Sequence, residues 1–98
     1  MKDIELIKLY DIYKGLLTEK QSELFSSYYC LDLSLSEIAE TEGTTRQSVF
    51  IAVKKVKQKL LDYESTLKIK STEDKLLALI SEVKDEEIKE KIRGIING

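Results

Sequence analysis

Apolar residues recur at three- and four-residue intervals in successive segments of this chain, a pattern typical of amphipathic helices. A first helix is predicted over residues 3–16. Its expected buried face consists of Ile4, Ile7, Tyr10, Tyr13 and Leu17. A second helix is predicted to begin at Thr18, because Thr18 and Gln21 have the spacing of a capping box. The expected buried face of this helix consists of Leu24, Phe25, Tyr28 and Leu31.

Two helices joined by a glycine-containing turn are predicted in the centre of the chain, over residues 33–49. Ser36 is the expected N-cap of the first of these helices, and Gly43 is expected to end it in a left-handed conformation. The second helix is capped by Thr44 or Thr45. This arrangement is a helix-turn-helix, whose second helix can enter the major groove of DNA.

The second helix of this motif is longer than a small core requires. Its apolar residues form a near-heptad stripe of Val49, Val53, Val56, Leu60, Tyr63 and Leu67. The part of the stripe beyond Leu60 therefore has to pack against another element. Ser71 and Thr72 are expected to begin a fifth helix, and a sixth is predicted from about Asp85. The apolar residues of these two helices are Leu76, Leu77, Ile80, Val83, Ile88, Ile92, Ile95 and Ile96.

Composition agrees with a small helical protein. The 98 residues are 42% hydrophobic and 35% charged, a balance that favours a folded domain over disorder. The chain has no proline and only four glycines, which argues against many tight β-turns. We therefore predict an all-α fold with a long fourth helix and a C-terminal helical pair. A helix-turn-helix domain is expected over residues 1–60, and an extension used in packing or dimerisation over residues 61–98.

The residue types that many catalytic and metal sites need are scarce. The sequence contains no histidine and a single cysteine, Cys30, so it excludes histidine-based catalysis and a disulfide within the chain. It also contains no phosphate-binding loop and no nucleophile–base pair. We therefore expect no enzymatic activity, no cofactor and no metal. No apolar stretch approaches the ~20 residues that cross a membrane, and a cytoplasmic protein without a membrane partner is expected.

The formal net charge of −2 conceals one basic block. Residues 43–61 carry a net charge of +5 with no acidic residue, whereas residues 1–42 carry −5 and residues 62–98 carry −2. The block coincides with the first half of the predicted long helix. A basic segment in an otherwise acidic protein indicates a negatively charged partner such as nucleic acid.

A helical projection at about 100° per residue separates the predicted binding face from the core stripe. The residues predicted to bind DNA or RNA are Arg46, Gln47, Lys54, Lys55, Lys57 and Gln58. Glutamine can pair with adenine, and lysine or arginine can hold phosphates or guanine. Phe50 and Ile51 suit DNA less well. These adjacent apolar side chains could contact thymine methyl groups or could form a protein-binding patch.

Several segments carry a more specific signal. They are Leu-Tyr-Asp-Ile-Tyr at 9–13, Leu-Leu-Thr-Glu-Lys-Gln at 16–21, Ser-Leu-Ser-Glu-Ile-Ala-Glu at 34–40 and Asp-Tyr-Glu at 62–64. With these segments the chain resembles the bacterial YlxM family, most clearly over residues 9–49. More loosely, the same stretch is similar to region 4 of sigma factors, which reads a promoter element.

The resemblance implies a helix-turn-helix fold, DNA binding, and an accessory or regulatory role in the signal recognition particle pathway, to which gene neighbourhood links the family. It places Arg46, Gln47 and Lys54 at polar positions of the family's second motif helix. Phe50 occupies a site where an aromatic residue is usual. Ile51 departs from the family pattern, which has a polar or acidic residue there.

Two functions stay open on this basis. The first is a non-catalytic accessory protein that binds DNA or RNA, including the RNA of the particle. The second is an interaction module that contacts a protein of the particle, such as its GTPase, without reading DNA. Phe50 and Ile51 distinguish the two. In either case, the apolar residues beyond Leu60 are explained by a homodimer or by a monomer in which the fifth and sixth helices close over the long helix.

Overall fold

The computed structural model describes residues 3–98 and consists of helices separated by short joints. They are α1 (Ile4–Tyr13), α2 (Glu19–Phe25), α3 (Leu35–Glu42), α4 (Arg46–Leu67), α5 (Ile69–Ile80) and α6 (Glu86–Asn97). A 3₁₀ turn at Lys14–Leu16 follows α1, and a π-helical segment at Ser26–Cys30 follows α2. No strand occurs within residues 3–98, and the predicted all-α class is confirmed.

The chain forms two compact units, one ending at Leu67 and the other spanning Lys68–Gly98. Helix α4 continues through the domain boundary expected after residue 60 and ends at the limit of the first unit. The use of residues 61–98 in packing or dimerisation stays a prediction. None of the helices in the described part of the chain is both long and apolar enough to cross a membrane.

The predicted capping box at the start of α2 is confirmed. The Thr18 hydroxyl accepts a hydrogen bond from Gln21 N at 3.1 Å, and Gln21 Oε1 accepts one from Thr18 N at 3.0 Å. At the other end of α2, the chain continues into the π-helical segment, where Leu31 N donates to Ser26 O five residues back. The wider turn shifts the phase of the helix, so Leu31 is 65% exposed instead of buried.

The N-cap predicted for α3 is wrong by two residues. Ser34, and not Ser36, accepts the backbone hydrogen bond of Glu37 at 3.0 Å, while Glu37 Oε1 accepts from Ser34 N at 3.1 Å. Both serines are good caps, but only Ser34 has a glutamate three residues later to complete a capping box. These hydrogen bonds, chiefly the one from the Ser34 backbone, lower the pKa of the Glu37 carboxyl.

The apolar face predicted for α1 is partly wrong. The buried residues are Leu6, Leu9 and Tyr13, whereas Ile4 is 58% exposed and Ile7 is half-buried. Both sets have helical spacing, so the pattern alone leaves the choice open. In the folded protein the Leu6–Leu9–Tyr13 face is the one that packs against α4.

Helix α4 supplies buried residues to both hydrophobic clusters of the first unit. The first cluster consists of Leu6, Leu9, Tyr13, Phe25, Val56 and Leu60. The second consists of Ile38, Ala39, Val49 and Val53. Leu24 and Tyr29 pack against both clusters. The predicted stripe on α4 is therefore the central wall of the core as far as Leu60.

The segment that covers α4 beyond Leu60 comes from the N-terminal part of the chain. Tyr13 Oη donates to Glu64 Oε1 at 2.6 Å, and Tyr63 Oη donates to the carbonyl oxygen of Leu16 at 3.2 Å. Tyr63 is half-buried, but Leu67 is 49% exposed and does not belong to the core, contrary to the prediction.

The first helix of the second unit begins two residues before the first predicted start, Ser71. Lys68 has a left-handed backbone, with φ of 55°, and α5 begins at Ile69 instead of Ser71 or Thr72. Helix α5 ends at Ile80, which is buried, so Val83 lies in the loop and not on the helix. The Asp85 carboxylate caps α6 by accepting from Glu87 N at 3.0 Å.

Leu60 and Leu61 provide a matched test of the core face of α4. Leu60 has no exposed surface, whereas Leu61 is 40% exposed. We expect Leu60→Ala to lower the free energy of unfolding by roughly 2–5 kcal/mol, because it leaves a cavity. Leu61→Ala should change it by no more than about 0.5 kcal/mol. Urea unfolding followed by circular dichroism measures both, and equal losses would contradict the assigned face.

Ser34 and Ser36 provide a matched test of the start of α3. Ser34→Ala should lower the free energy of unfolding by about 1 kcal/mol, because the Glu37 backbone N–H loses the hydroxyl that caps it. Ser36→Ala should have little effect, because Ser36 lies within the first turn of α3 and is not its cap. The same unfolding measurement applies, and the reverse order of the two losses would place the cap at Ser36.

Candidate nucleic-acid interface

Helices α3 and α4 are joined by a turn of three residues, Gly43 to Thr45. Gly43 has a left-handed backbone, with φ of 67°, and its N–H is bonded to the carbonyls at the end of α3. Thr44 N donates to Ala39 O at 3.0 Å, which closes the helix end. Of the two predicted caps for α4, the structure has Thr45, whose hydroxyl accepts from Ser48 N at 3.1 Å.

The two motif helices are held together by a small apolar cluster. Ile38 and Ala39 of α3 pack against Val49 and Val53 of α4, and all four are at most 5% exposed. Because Ala39 has a short side chain, the helices can approach closely at this point. The packing turns the polar side of α4 outward, as the helical projection predicts.

All six residues predicted to bind nucleic acid are exposed on α4. They are Arg46, Gln47, Lys54, Lys55, Lys57 and Gln58. Arg46 and Gln47 form the first turn of the helix. Lys54 lies about 12 Å further along the axis, at the usual rise per residue of a helix. The predicted residues thus form a tip and a more distant flank instead of one compact cluster.

Lys54, Lys57 and Gln58 lie along one side of a groove in the first unit. The groove has a volume of about 380 Å³ and is lined by Tyr28, Tyr29, Leu35, Phe50, Val53, Lys54, Lys57 and Gln58. Gln58 Nε2 donates to Asp62 Oδ1 at 2.9 Å, which leaves the amide oxygen available as an acceptor. No carboxylate lines the groove, so its walls are basic and aromatic.

Phe50 and Ile51 are both 47% exposed, but only Phe50 lines this groove. Lys54 Nζ lies 5.4 Å from the centre of the Phe50 ring, within the range of a cation–π interaction. The residue assigned to protein binding and a lysine assigned to nucleic acid therefore belong to one surface. Ile51 lies with Lys55 in a shallower depression next to it.

Lys55 has different neighbours from Lys54 and Lys57. It borders a small cavity of about 140 Å³ together with Lys20 and Gln21 of α2. The Lys20 amine is bonded to the Glu42 carboxylate at the end of α3, and this hydrogen bond raises the pKa of Lys20. Lys20 is thus paired with an acid, whereas Lys55 is not.

Tyr28 and Tyr29 are groove residues that the sequence analysis did not assign to the site. Tyr28 was expected in the core of the second helix, but both tyrosines are half-buried. The π-helical segment positions them, and π-helical turns occur frequently at functional sites. The periodic pattern gives no signal for this pair, because neighbouring helix residues point about 100° apart and can both lie on a wide apolar face, as Ile38 and Ala39 do.

The two tyrosines are held by a continuous series of ring contacts. Tyr10 stacks on Phe25 with ring centres 4.4 Å apart, and Phe25 stacks on Tyr29 at 4.6 Å. Tyr29 meets Tyr28 edge to face at 4.9 Å. Burial raises the pKa of Tyr29, with the nearby Tyr28 and Asp3 adding to the shift. Its phenol therefore stays neutral, and the charge of the groove comes from the lysines.

Comparison with known proteins identifies the family. Residues 1–96 match the UPF0122 family, described as "Putative helix-turn-helix protein, YlxM / p13 like". A UPF0122 protein of Ureaplasma urealyticum is 42% identical over 92% of this chain and 91% of its own length. A UPF0122 protein of Clostridium perfringens is 38% identical over 95% of both chains, and one of Symbiobacterium thermophilum is 38% identical over 87% of this chain and 80% of its own. The predicted resemblance is confirmed.

Proposed function

Because the chain belongs to the UPF0122 family of helix-turn-helix proteins, we propose that it is a non-catalytic protein that binds DNA or RNA through α4. The observation that carries this proposal is that the basic side chains of α4 are exposed and form no ion pairs within residues 3–98. Lys8, Lys20 and Lys70 each form an ion pair, as do Lys89, Lys91 and Arg93. In the described part of the chain, the basic residues of α4 have no carboxylate within 4.0 Å. They are Arg46, Lys54, Lys55, Lys57 and Lys59. Lys14, Lys68, Lys75 and Lys84 also form no ion pair with any described residue, but they are dispersed along the chain, whereas the five on α4 lie within residues 43–61, which contain no acidic residue.

Exposed cationic side chains without an ion pair are available to bind phosphate groups. They release bound counterions when they neutralise a nucleic acid backbone, which is the main source of affinity for DNA and RNA. Arg46 and Gln47 at the tip have side chains that can contact base edges, while the lysines of the flank suit the backbone. The acidic remainder of the protein opposes this attraction, so a weak to moderate affinity follows.

The cellular setting that we propose is the signal recognition particle pathway. This part of the proposal rests on the resemblance to the YlxM family, whose members are linked to that pathway. The RNA or a protein of the particle would then be the partner, and the protein would act as an accessory or regulatory component.

A second candidate function is a protein-binding module. It is favoured by Phe50 and Ile51, two neighbouring apolar side chains that are each 47% exposed beside the basic residues. Exposed aromatic residues often dominate the energy of protein interfaces. In this case the lysines would surround an apolar contact with an acidic protein surface.

Reversing two charges on α4 tests the nucleic-acid function. Engagement of about three to five phosphates predicts a log–log salt slope of roughly −3 to −5 for duplex binding. We expect Lys54→Glu/Lys55→Glu to reduce the slope by about 2 and to weaken binding at least roughly tenfold, because two attractive contacts become repulsive. Fluorescence anisotropy at several stated salt concentrations measures both quantities.

The control is Lys8→Glu/Lys14→Glu, which makes the same change in net charge on exposed residues outside α4. It should bind nearly as the parent protein does. Equal binding by the α4 variant and the parent would refute the nucleic-acid function. If that variant still captures the intact particle and Phe50→Ala does not, the protein-binding function is the correct one.

Self-association through the second unit is also proposed. Leu79 is 59% exposed and Ile95 is 82% exposed, and pairing of two copies would cover such apolar residues. Sedimentation equilibrium at micromolar concentration should give twice the chain mass of 11.3 kDa. A folded Leu79→Asp/Ile95→Asp variant should give the single mass. A parent protein that stays at the single mass across the concentration range would exclude the dimer.

A further inference from the structure

The groove between the π-helical segment and α4 has a chemical character of its own. It combines three aromatic rings, two lysine amines and one amide, without a carboxylate. Two cations without an acid favour an anionic ligand, and exposed ring faces favour a flat one. A nucleotide joins a flat aromatic body to a negative charge over a short distance.

We propose that this groove holds one unpaired nucleotide of a folded RNA. The base stacks against the rings of Phe50 and Tyr28, and the adjoining phosphates lie against Lys54 and Lys57. The inference rests on the proposed nucleic-acid function and makes it more specific, because it names the structural feature of the RNA that the protein selects.

Size distinguishes a nucleotide from a helical peptide. The groove volume of about 380 Å³ lies within the range of small-ligand pockets. One turn of a helix about 10 Å wide and 5.4 Å long occupies about 420 Å³, so the groove holds less than one turn of a partner helix.

The concave shape also distinguishes an unpaired base from a duplex. A paired base is stacked between its neighbours and must leave the helix before it can enter a pocket. Bulges and loops of folded RNA already present unstacked bases, and proteins commonly bind such bases on aromatic side chains. Relaxed duplex DNA offers no unpaired base, so RNA is the source to which the groove points.

The two tyrosine rings are held in place by other rings of the protein. Tyr28 contacts Tyr29 at 4.9 Å, and Tyr29 is stacked on the buried Phe25 at 4.6 Å. Phe50 projects from α4, which is anchored by Val49 and Val53 on either side of it in sequence. Since Tyr28 is already packed against Tyr29, little freedom of the Tyr28 side chain is lost when a base stacks on it.

The test uses two RNA duplexes that differ only by one bulged adenine. The full-length protein should bind the bulged RNA roughly 5- to 100-fold more tightly than the perfect duplex, the range expected for one base stacked on an aromatic residue. Phe50→Ala should abolish this preference, so that the bulged RNA and the perfect duplex bind equally. Ile51→Ala is the matched control, because Ile51 is adjacent and equally exposed but does not line the groove.

Replacing the bulged adenine with 2-aminopurine adds a direct readout, since its fluorescence falls when it stacks on a ring. Quenching by the parent and by Phe50→Tyr, but not by Phe50→Ala, would support the site. Equal binding of both RNAs by all variants would overturn the inference and leave the general nucleic-acid function standing. Adenosine monophosphate that binds as tightly as the bulged RNA would overturn it in favour of a free nucleotide. Failure to bind any nucleic acid would refute both proposals.

Discussion

The packing of α4 determines the architecture of the first unit. One row of residues on this helix, at Val49, Val53, Val56 and Leu60, supplies both hydrophobic clusters, and each member is at most 5% exposed. The early part of the row anchors α3 and so fixes the geometry of the motif. The later part anchors α1 and α2. A polar residue in this row would separate the motif from the helices that support it.

The position of the predicted binding face on α4 follows from the packing of the same apolar row. Since the apolar row fixes the rotation of α4, the opposite side of the helix must face solvent, and that side carries the basic residues. In the described part of the chain, none of these basic residues has a carboxylate within 4.0 Å, so they form no ion pairs. The exposed charge on α4 is therefore a consequence of both the core packing and the arrangement of acids elsewhere in the chain.

The π-helical segment contributes Tyr28 and Tyr29 to the groove beside α4. An ordinary helical turn through Ser26–Cys30 would keep the phase of α2 and bury the residues that the pattern predicts. The wider turn instead exposes Leu31 and places Tyr28 and Tyr29 beside α4. Stacking of Tyr29 on Phe25 stabilises this arrangement. Three of the residues predicted to bind nucleic acid, Lys54, Lys57 and Gln58, thereby share one groove with the apolar Phe50.

Much of the fold was predictable because it depends on local chemistry. Helical periodicity, the Thr18–Gln21 capping box and the left-handed Gly43 all depend on residues close in sequence, and each is present in the structure. The row of buried residues on α4 was predictable for the same reason, as was the exposure of the six polar binding residues. The predictions were wrong where the sequence offers two similar local alternatives. Ser34 and Ser36 are both suitable N-caps, and both apolar faces of α1 have helical spacing.

By itself, then, the sequence determined the all-helical class, the helix-turn-helix and the position of the basic block, because these follow from spacing, capping and charge along the chain. Only the tertiary structure decided which face of α1 meets α4, since that depends on contacts with residues some fifty positions away, such as Tyr13 with Glu64. It also decided that Tyr28 and Phe50 line one groove with Lys54. Their proximity arises from a π-helical turn and from packing across two clusters, and neither leaves a periodic signal in the sequence.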